Sequence, residues 1–253
     1  MNLSGSTILI TGGGSGIGRG LAEALHAEGN QVIVAGRRKQ ALEETAAANP
    51  GMQAMQLDIE DGAAIRAFAA EATAKFPALN VLINNAGVMR AEKLLEPPED
   101  MADATAMVTT NLLGPIRLTA ALMPHLRKQA QATIMNVSSG LAFMPLVPTP
   151  TYCATKAAIH SYTQSLRYQL RKTQIEVLEL IPPYVATDLM SGRSDPRAMP
   201  LDKFIDQTME LLRLKPTPAE ICVENVKRLR FAAESGVYEA IFEGLNSSMA
   251  DVH

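Results

Sequence analysis

A cluster of glycines near the start of the chain limits its fold more than any other feature of the sequence. The cluster occupies residues 11–18, with the sequence TGGGSGIG, after the apolar run 8–10 and before the alanine- and leucine-rich segment 21–25. This order predicts a β-strand, a tight turn and an α-helix. Glycines allow the backbone to approach a pyrophosphate closely. The free N–H groups at the start of the helix can then donate hydrogen bonds to this anion. Taken alone, the cluster is equally compatible with an ordinary strand-to-helix turn.

Strand-like and helix-like segments alternate along the first two thirds of the chain. Further apolar runs typical of strands occupy residues 32–35, 52–57, 81–83, 133–137 and 176–181. Helical patterns occupy residues 41–48, 63–75, 102–128 and 152–172. This alternation predicts an α/β protein, a Rossmann-type doubly wound parallel sheet of six strands with helices on both faces. We expect residues 1–253 to form a single domain, since the sequence contains no internal repeat or linker.

Composition excludes several classes of partner. The chain has 253 residues, 47% of them hydrophobic, and a net charge of −3 without a basic tract, so we expect neither nucleic acid nor an anionic membrane as a partner. Its two cysteines, Cys153 and Cys222, cannot form a disulfide framework. Neither a signal peptide nor an apolar run of membrane-spanning length is evident, and we therefore expect a cytoplasmic protein.

Further polar motifs follow the glycine cluster. The sequence Asn84-Asn85-Ala86-Gly87 follows the apolar run 81–83, and Ser138 follows the apolar run 133–137. Asn111 lies in the helical pattern 102–128. Tyr152 and Lys156 stand four residues apart, which places both side chains on one face of a helix. Without the other motifs, such a pair would be interpreted as an ordinary solvated surface pair.

In combination, these motifs resemble the short-chain dehydrogenase/reductase family. The elements T-G-x-x-x-G-x-G, N-N-A-G, Asn, Ser and Y-x-x-x-K occur in that family's order and spacing between residues 11 and 156. The resemblance implies an oxidoreductase that transfers hydride between a nicotinamide and a carbonyl or alcohol substrate. It implies four catalytic residues, Asn111, Ser138, Tyr152 and Lys156.

The resemblance also implies a role for each of these residues. Tyr152 is expected to act as the general acid/base, because a nearby ammonium and an oxidised nicotinamide stabilise a phenolate that otherwise forms only near pH ~10. Lys156 supplies that ammonium and holds the nicotinamide ribose. Ser138 is expected to bind the substrate oxygen, and Asn111 to support a water that passes protons to Lys156.

Residues after the second strand predict the cofactor. Enzymes that choose NAD usually carry an acidic residue there, whereas this chain has Arg37 and Arg38, which can pair with the 2′-phosphate of NADP(H). The alternative is that both arginines only solvate a loop. The residues expected to bind the cofactor are Gly12, Gly14, Ser15, Gly16, Ile17, Gly18, Arg37, Arg38, Asp58, Ile59, Asn85, Ala86, Gly87, Tyr152, Lys156, Pro182, Val185 and Thr187.

The last third of the chain departs from the family pattern. Pro183 replaces the glycine that often follows the proline after the sixth strand, which predicts a stiffer loop. Residues 219–233 and 237–245 show charged helical patterns, so we expect no seventh strand. Segments 220–224 and 242–246 are similar to a bacterial branch of the family that is named after the teichoic-acid D-alanylation operon.

Three segments are expected to line the substrate pocket: residues 88–90, residues 141–145, and Tyr184 with the stretch 188–201. The first two are mainly apolar and favour a hydrophobic carbonyl or alcohol, and the third has the composition of a mobile flap. Alternatively, Arg193 or Arg197 turns inward to hold an acidic group.

Other functions remain open at this point. The alternative from another class is a non-catalytic NADP-binding sensor or scaffold on the same fold, and a sugar epimerase is a weaker rival because the chain is short for a separate substrate domain. The four histidines show no ligand spacing, so we expect no metal site. A homodimer is expected through small residues on two helices, Ala120, Ala121, Ala154, Ala157, Ala158 and Ser161.

Overall fold

A single parallel β-sheet forms the centre of the molecule. The computed structural model describes residues 1–93, 100–190 and 195–247. Its strands are β1 (Thr7–Thr11), β2 (Gln31–Gly36), β3 (Gln53–Gln56), β4 (Leu79–Asn84), β5 (Ala132–Val137), β6 (Ile175–Leu180) and β7 (Glu220–Ile221). They pair in the order β3-β2-β1-β4-β5-β6-β7, every neighbouring pair parallel. The prediction of a doubly wound α/β fold is confirmed.

Helices cover both faces of the sheet. They are α1 (Gly16–Ala27), α2 (Lys39–Ala48), α3 (Gly62–Lys75), α4 (Ala102–Val108), α5 (Gly114–Leu126), α6 (Pro150–Leu170), α7 (Leu201–Arg213), α8 (Glu224–Arg230) and α9 (Tyr238–Asn246). Leu21 of α1 and Phe204 of α7 belong to the core on one face, whereas Phe68 of α3, Leu122 of α5 and Leu166 of α6 belong to the core on the other. Strands buried on both faces have continuous apolar sequences, which is why the runs were recognisable.

The expected number of six strands is wrong, because a short seventh strand follows β6. Residues Glu220–Ile221 pair with β6, and the Glu179 and Ile181 N–H groups donate to the Ala219 and Ile221 carbonyl oxygens at 2.9 and 3.1 Å. Helical periodicity in residues 219–233 therefore describes only α8. The pairing with β6 residues 41 positions earlier in the chain overrides the local helical preference of these two residues.

Helix α7 lies outside the helices that the sequence predicted. It packs against α1, where a Cβ atom on Gly20 would come within 2.8 Å of the Ile205 side chain. This close approach brings the chain after the sixth strand back to the glycine turn. In the described part of the chain, none of the helices combines the length and apolarity needed to cross a bilayer.

Candidate active site

The glycine turn joins β1 to α1 at the carboxyl edge of the sheet. Gly12 and Gly16 adopt positive φ angles, 69° and 53°, which side chains other than hydrogen disfavour. A Cβ atom on Gly18 would lie 2.3 Å from both the Asn85 Nδ2 atom and the Gly12 carbonyl oxygen. Ser15, at the N-cap of α1, makes no capping hydrogen bond through its side chain. The first-turn N–H groups of α1 can therefore receive an anionic ligand.

The Asn-Asn-Ala-Gly turn is fastened to the end of β1. Thr11 Oγ1 accepts hydrogen bonds from the backbone N–H groups of Asn85 and Ala86, each at 3.0 Å. The Asn85 side chain donates in return to the Thr11 carbonyl oxygen at 2.9 Å. These bonds hold two segments of the expected cofactor site, 12–18 and 85–87, in one rigid unit.

Arg37 and Arg38 leave the end of β2 in different directions. Arg38 Nη2 donates to Ser15 Oγ at 2.7 Å, so its guanidinium reaches the glycine turn. Arg37 Nη1 instead forms a 2.7 Å ion pair with Glu60, a carboxylate that the sequence interpretation did not consider. Glu60 follows Asp58 and Ile59, and the Asp58 side chain accepts the Glu60 N–H at 3.0 Å. Of the two arginines, Arg38 keeps a positive charge that no carboxylate of the described chain pairs with at this distance.

Asn111 occupies a break in the predicted helix 102–128. A π-helical turn, Thr109–Leu113, separates α4 from α5. Pro115 explains the break, because it has no N–H group to bond the Asn111 carbonyl four residues earlier. The Asn111 side chain accepts from the Val88 N–H and donates to the Val88 oxygen, both at 2.8 Å, and it also donates to Thr155 Oγ1 at 3.2 Å. It thereby connects the loop after the Asn-Asn-Ala-Gly turn to α6.

Tyr152 and Lys156 are buried side by side on α6. The Lys156 ammonium lies 5.6 Å from the centroid of the Tyr152 ring and donates to the Val137 carbonyl oxygen at 2.9 Å. Burial lowers the pKa of Lys156 to about 8, and the Glu179 carboxylate opposes that shift. Burial also raises the pKa of the Tyr152 phenol well above its usual range, and a hydrogen bond with the Ser139 side chain opposes the shift. In both residues burial disfavours the charged form, the phenolate of Tyr152 and the ammonium of Lys156.

Ser138 and Ser139 face opposite ways at the end of β5. Ser138 Oγ is buried and donates to a Glu179 carboxylate oxygen at 2.6 Å, whereas Ser139 is the serine that contacts Tyr152. Successive side chains of an extended backbone point in opposite directions, and Ser139 is extended, with φ and ψ of −171° and 157°. The Ser138 hydroxyl therefore already has a partner, and its expected role at the substrate oxygen stays a prediction. The sequence interpretation did not consider Ser139, because two adjacent serines offer no signal for which one contacts Tyr152.

A second group that sequence reasoning missed lies behind Ser138. His160 Nδ1 lies 2.9 and 3.0 Å from the two carboxylate oxygens of Glu179, which is fully buried. The potential ligand atoms of His160, Glu179 and Glu220 lie within 4.8 Å of one another, but Arg230 already occupies both oxygens of Glu220, at 2.7 and 3.2 Å. We interpret the group as a hydrogen-bond network, His160 with Glu179, next to the Arg230–Glu220 ion pair. The detectable signal was an acidic residue inside the apolar run 176–181.

The expected nicotinamide side of the site is formed by the loop after β6. The carbonyl oxygen of the buried Pro182 accepts a hydrogen bond from the Gly140 N–H at 2.9 Å. Val185 forms a parallel bridge with Met199. The Thr187 side chain lies 3.4 Å from the position of a Cβ atom on Gly16. The loop therefore lies against the glycine turn. The predicted stiffness at Pro183 stays a prediction.

The expected flap is only partly described. Tyr184 donates to Asp195 at 3.2 Å, and Arg197 pairs with the same carboxylate at 2.7 Å, so Asp195 satisfies Arg197. Gly192 and Arg193 lie outside the described residues, as does the whole segment 191–194.

Apolar side chains surround Tyr152. Met89, Met107 and Cys153 form a buried cluster with it, and Val88, Leu141 and Leu146 pack against that cluster. Two of the three expected pocket segments, 88–90 and 141–145, thus contribute to the surroundings of Tyr152. Phe143 departs from the expectation, since its ring packs on His160 with 4.6 Å between centroids.

Comparisons with known proteins agree with this geometry. A model of the short chain dehydrogenase family matches residues 6–198. The chain is 38% identical over 252 residues to a Bacillus subtilis (strain 168) protein described as the uncharacterized oxidoreductase DltE, covering 98% of this chain and 99% of that protein.

Solved structures show the same fold. A short chain dehydrogenase from Burkholderia cenocepacia J2315 in complex with NADP is 26% identical, with a TM-score of 0.81 over 97% of this chain and 99% of that one. A 3-ketoacyl-(acyl-carrier-protein) reductase from Brucella melitensis complexed with NADH is 29% identical, with a TM-score of 0.76 over 85% and 93% of the two chains. Similar folds thus bind either form of the dinucleotide.

Proposed function

The chain belongs to the short-chain dehydrogenase family, and on that premise we propose that it is an NADP(H)-dependent oxidoreductase acting on a carbonyl or alcohol group of a small molecule. One observation carries the proposal: Tyr152 and Lys156 are buried together beside Asn111 and Ser139, next to a glycine turn that fits a dinucleotide. A binding sensor would not require this set of groups. The similarity to the branch named after the D-alanylation operon is confirmed by the Bacillus subtilis relative.

The residues that would hold the cofactor lie on several loops at the carboxyl edge of the sheet. Gly12 to Gly18 would accept the pyrophosphate at the start of α1, and residues 58–59 and 85–87 would line the adenosine. Lys156, Val185 and Thr187 would hold the nicotinamide end. When bound, the nicotinamide supplies or accepts the hydride.

Proton transfer falls to Tyr152. During reduction of a carbonyl, its phenol gives a proton to the substrate oxygen, and during oxidation of an alcohol the phenolate takes that proton back. The Lys156 ammonium stabilises the phenolate, and Ser139 would donate a hydrogen bond to the substrate oxygen. The apolar cluster of Met89, Met107 and Cys153 restricts water around the phenol and supports a hydrophobic substrate.

NADP(H) is favoured over NAD(H) by the charge after β2. Arg38 already reaches Ser15 of the glycine turn, where its guanidinium could pair with a 2′-phosphate. The Arg37–Glu60 ion pair weakens the contribution of Arg37, because binding a phosphate would compete with the carboxylate. The proposed preference therefore rests mainly on Arg38.

The test is a panel of carbonyls and alcohols, read at the absorbance band of the reduced nicotinamide. We expect the parent protein to turn over at least one apolar carbonyl with NADPH. In Tyr152→Phe, kcat should fall at least about a hundredfold, whereas NADPH binding should stay nearly parental. Tyr168→Phe is the matched control, because Tyr168 lies on the same helix with 67% of its surface exposed. A fully active Tyr152→Phe would refute the assignment, and tight NADPH binding without turnover of any panel member would favour the sensor.

A further inference from the structure

Glu179 is a carboxylate in the middle of a buried parallel strand. Its residue is fully buried, and it shares one face of β6 with Ile175 and Val177. That face packs against α6, the helix that carries Tyr152 and Lys156. Burying an ionised carboxylate is costly unless it is paired and hydrogen-bonded, so the contacts of Glu179 need an explanation.

Both oxygens of the Glu179 carboxylate have a hydrogen-bonding partner. Ser138 Oγ donates at 2.6 Å, and His160 Nδ1 lies within 3.0 Å of both oxygens. This order differs from that of a hydrolase, in which histidine contacts the serine and the acid lies behind the histidine. Here the acid contacts the serine and the histidine lies behind the acid, so Ser138 is held as a hydrogen-bond donor to a carboxylate and is not activated as a nucleophile.

His160 is itself held in place from the C-terminal part of the chain. Its ring packs edge-on against Phe143, and the Arg230 guanidinium lies 4.5 Å above the Phe143 ring. Arg230 pairs with Glu220 of β7, which the sequence did not predict as a strand. The charged or titratable groups near Glu179 are His160 and Lys156 on α6, Glu220 on β7, Cys222 after it, and Arg230 on α8.

Ser138 is flanked by the two groups that contact the expected catalytic pair. The preceding residue, Val137, accepts a hydrogen bond from the Lys156 ammonium through its carbonyl oxygen at 2.9 Å. The following residue, Ser139, contacts Tyr152. Fixing Ser138 therefore fixes both neighbours. The carboxylate is also close to Lys156, because the residue after the carbonyl that binds the Lys156 ammonium is Ser138, whose hydroxyl donates to Glu179. From this position its negative charge raises the pKa of Lys156 against the effect of burial.

We propose that Glu179, oriented by His160, is a positioning residue of the active site: it anchors the Val137-Ser138-Ser139 turn through Ser138 and provides the buried counter-charge of Lys156. The proposal rests on the proposed function for the roles of Tyr152 and Lys156. Glu179 touches neither substrate nor cofactor in this scheme.

Two variants separate the anchor from the counter-charge. Glu179→Gln keeps the length of the side chain and an oxygen that can accept from Ser138, but it removes the charge. Glu179→Asp keeps the charge but is one methylene shorter and cannot reach Ser138 in the same geometry. Glu176→Gln is the matched control, since Glu176 lies on the same strand with a half-exposed side chain and contacts the chain's N-terminus.

The first measurement does not need a substrate. NMR of isotope-labelled lysine, assigned with Lys156→Gln, follows the titration of Lys156 in the intact protein. We expect Glu179→Gln to lower the pKa of Lys156 by roughly half a unit or more, and Glu179→Asp and Glu176→Gln to leave it within about two tenths of a unit. An unchanged Lys156 titration in folded Glu179→Gln overturns the counter-charge, whether or not the protein turns over any carbonyl.

The second measurement uses NADPH and the best carbonyl of the panel. We expect both Glu179 variants to lose at least about fivefold in kcat while KM and the Kd of NADPH stay within about twofold, because positioning affects the reacting groups more than binding. If Glu179→Asp keeps the parental kcat, the proposed anchoring of the turn by Glu179 is overturned. If Glu179→Gln does not fold, Glu179→Asp alone decides whether Glu179 anchors the turn. If no panel member reacts with the parent protein, the proposed function fails, while the Lys156 titration still decides the counter-charge.

Discussion

At the scale of single residues, burial sets the charges of the site. The pKa of Lys156 falls from an ordinary 10.5 to about 8 because its ammonium is buried. Between these two values the unfolded chain binds a proton that the folded protein does not, so the contribution of Lys156 to stability rises with pH across this window. The rate of a reaction that needs the ammonium should fall over the same window, since Lys156 loses its charge as the pH rises through about 8.

The two serines after β5 provide a prediction at this scale. Ser139→Ala should lower kcat/KM about a hundredfold, since it removes the hydrogen-bond donor beside Tyr152, whereas Ser138→Ala should lower it by less than about tenfold. The comparison is internally controlled, because both changes delete one hydroxyl from adjacent residues. Steady-state kinetics in which Ser138→Ala is the more damaging change would restore Ser138 as the residue that contacts the substrate.

The proposed preference for NADP(H) also depends on single side chains. We expect NADPH to bind at least about tenfold more tightly than NADH, about 1.4 kcal/mol, measured as Kd by nicotinamide fluorescence. Arg38→Gln should remove most of this preference, and Arg37→Gln should remove less because Glu60 already pairs with Arg37. Equal Kd values for the two cofactors in the parent protein would contradict the preference.

At the scale of elements, the last helix supports the loop that borders Tyr152. Asn246 of α9 accepts the Val147 N–H at 2.8 Å and donates to the Pro145 oxygen at 3.1 Å. Leu141 and Leu146 of the same loop pack on the cluster around Tyr152. The segment 242–246, noted in the sequence for its similarity to a bacterial branch, thus has a structural role beside the apolar cluster around Tyr152.

Asn246→Ala should destabilise this support. It leaves the Val147 N–H and the Pro145 oxygen without their partner, and we expect a loss of about 1–3 kcal/mol in the free energy of unfolding together with a raised KM. Asn246→Asp, which keeps the acceptor and loses the donor, should lie between the parent and Asn246→Ala. Chemical unfolding and carbonyl kinetics check the two effects, and an unchanged KM in Asn246→Ala would show that the loop keeps its shape without α9.

At the scale of the whole molecule, one sheet connects the two ends of the described chain. Its first strand starts at Thr7 and its last ends at Ile221, which supports the proposal that the chain folds as one domain. The small residues proposed for an interface lie on the surface of α5 and α6, with Ala120, Ala154, Ala157 and Ser161 exposed. A tetramer would require a second interface, for which the edge of the sheet at β7 is a candidate.

A two-fold dimer through α5 and α6 stays our prediction. Ala157→Glu should convert a dimer into a monomer, because it places two carboxylates in a close-packed interface, whereas Ala47→Glu on the exposed face of α2 should have no effect. Light scattering during gel filtration measures both masses. A parent protein that runs as a strict monomer would contradict the interface, and a tetramer would indicate that the edge at β7 also takes part.

Short-range features of this protein were determined by the sequence alone. A glycine turn between an apolar run and a helix, and a tyrosine and lysine one helical turn apart, depend only on local backbone geometry, so Gly12, Gly18, Tyr152 and Lys156 were recognisable from spacing. The parallel sheet followed from the alternation of apolar runs with helical patterns.

Only the tertiary structure decided the rest, because each remaining feature depends on groups far apart in the chain. Glu179 of β6 contacts Ser138 at the end of the neighbouring strand β5, Arg37 pairs with Glu60 from another loop, and β7 exists through its hydrogen bonds to β6. The choice between Ser138 and Ser139 likewise depends on which hydroxyl contacts Tyr152 and which contacts Glu179. A hydrogen bond, or the burial of a charge, depends on two groups, and a local sequence pattern contains only one of them.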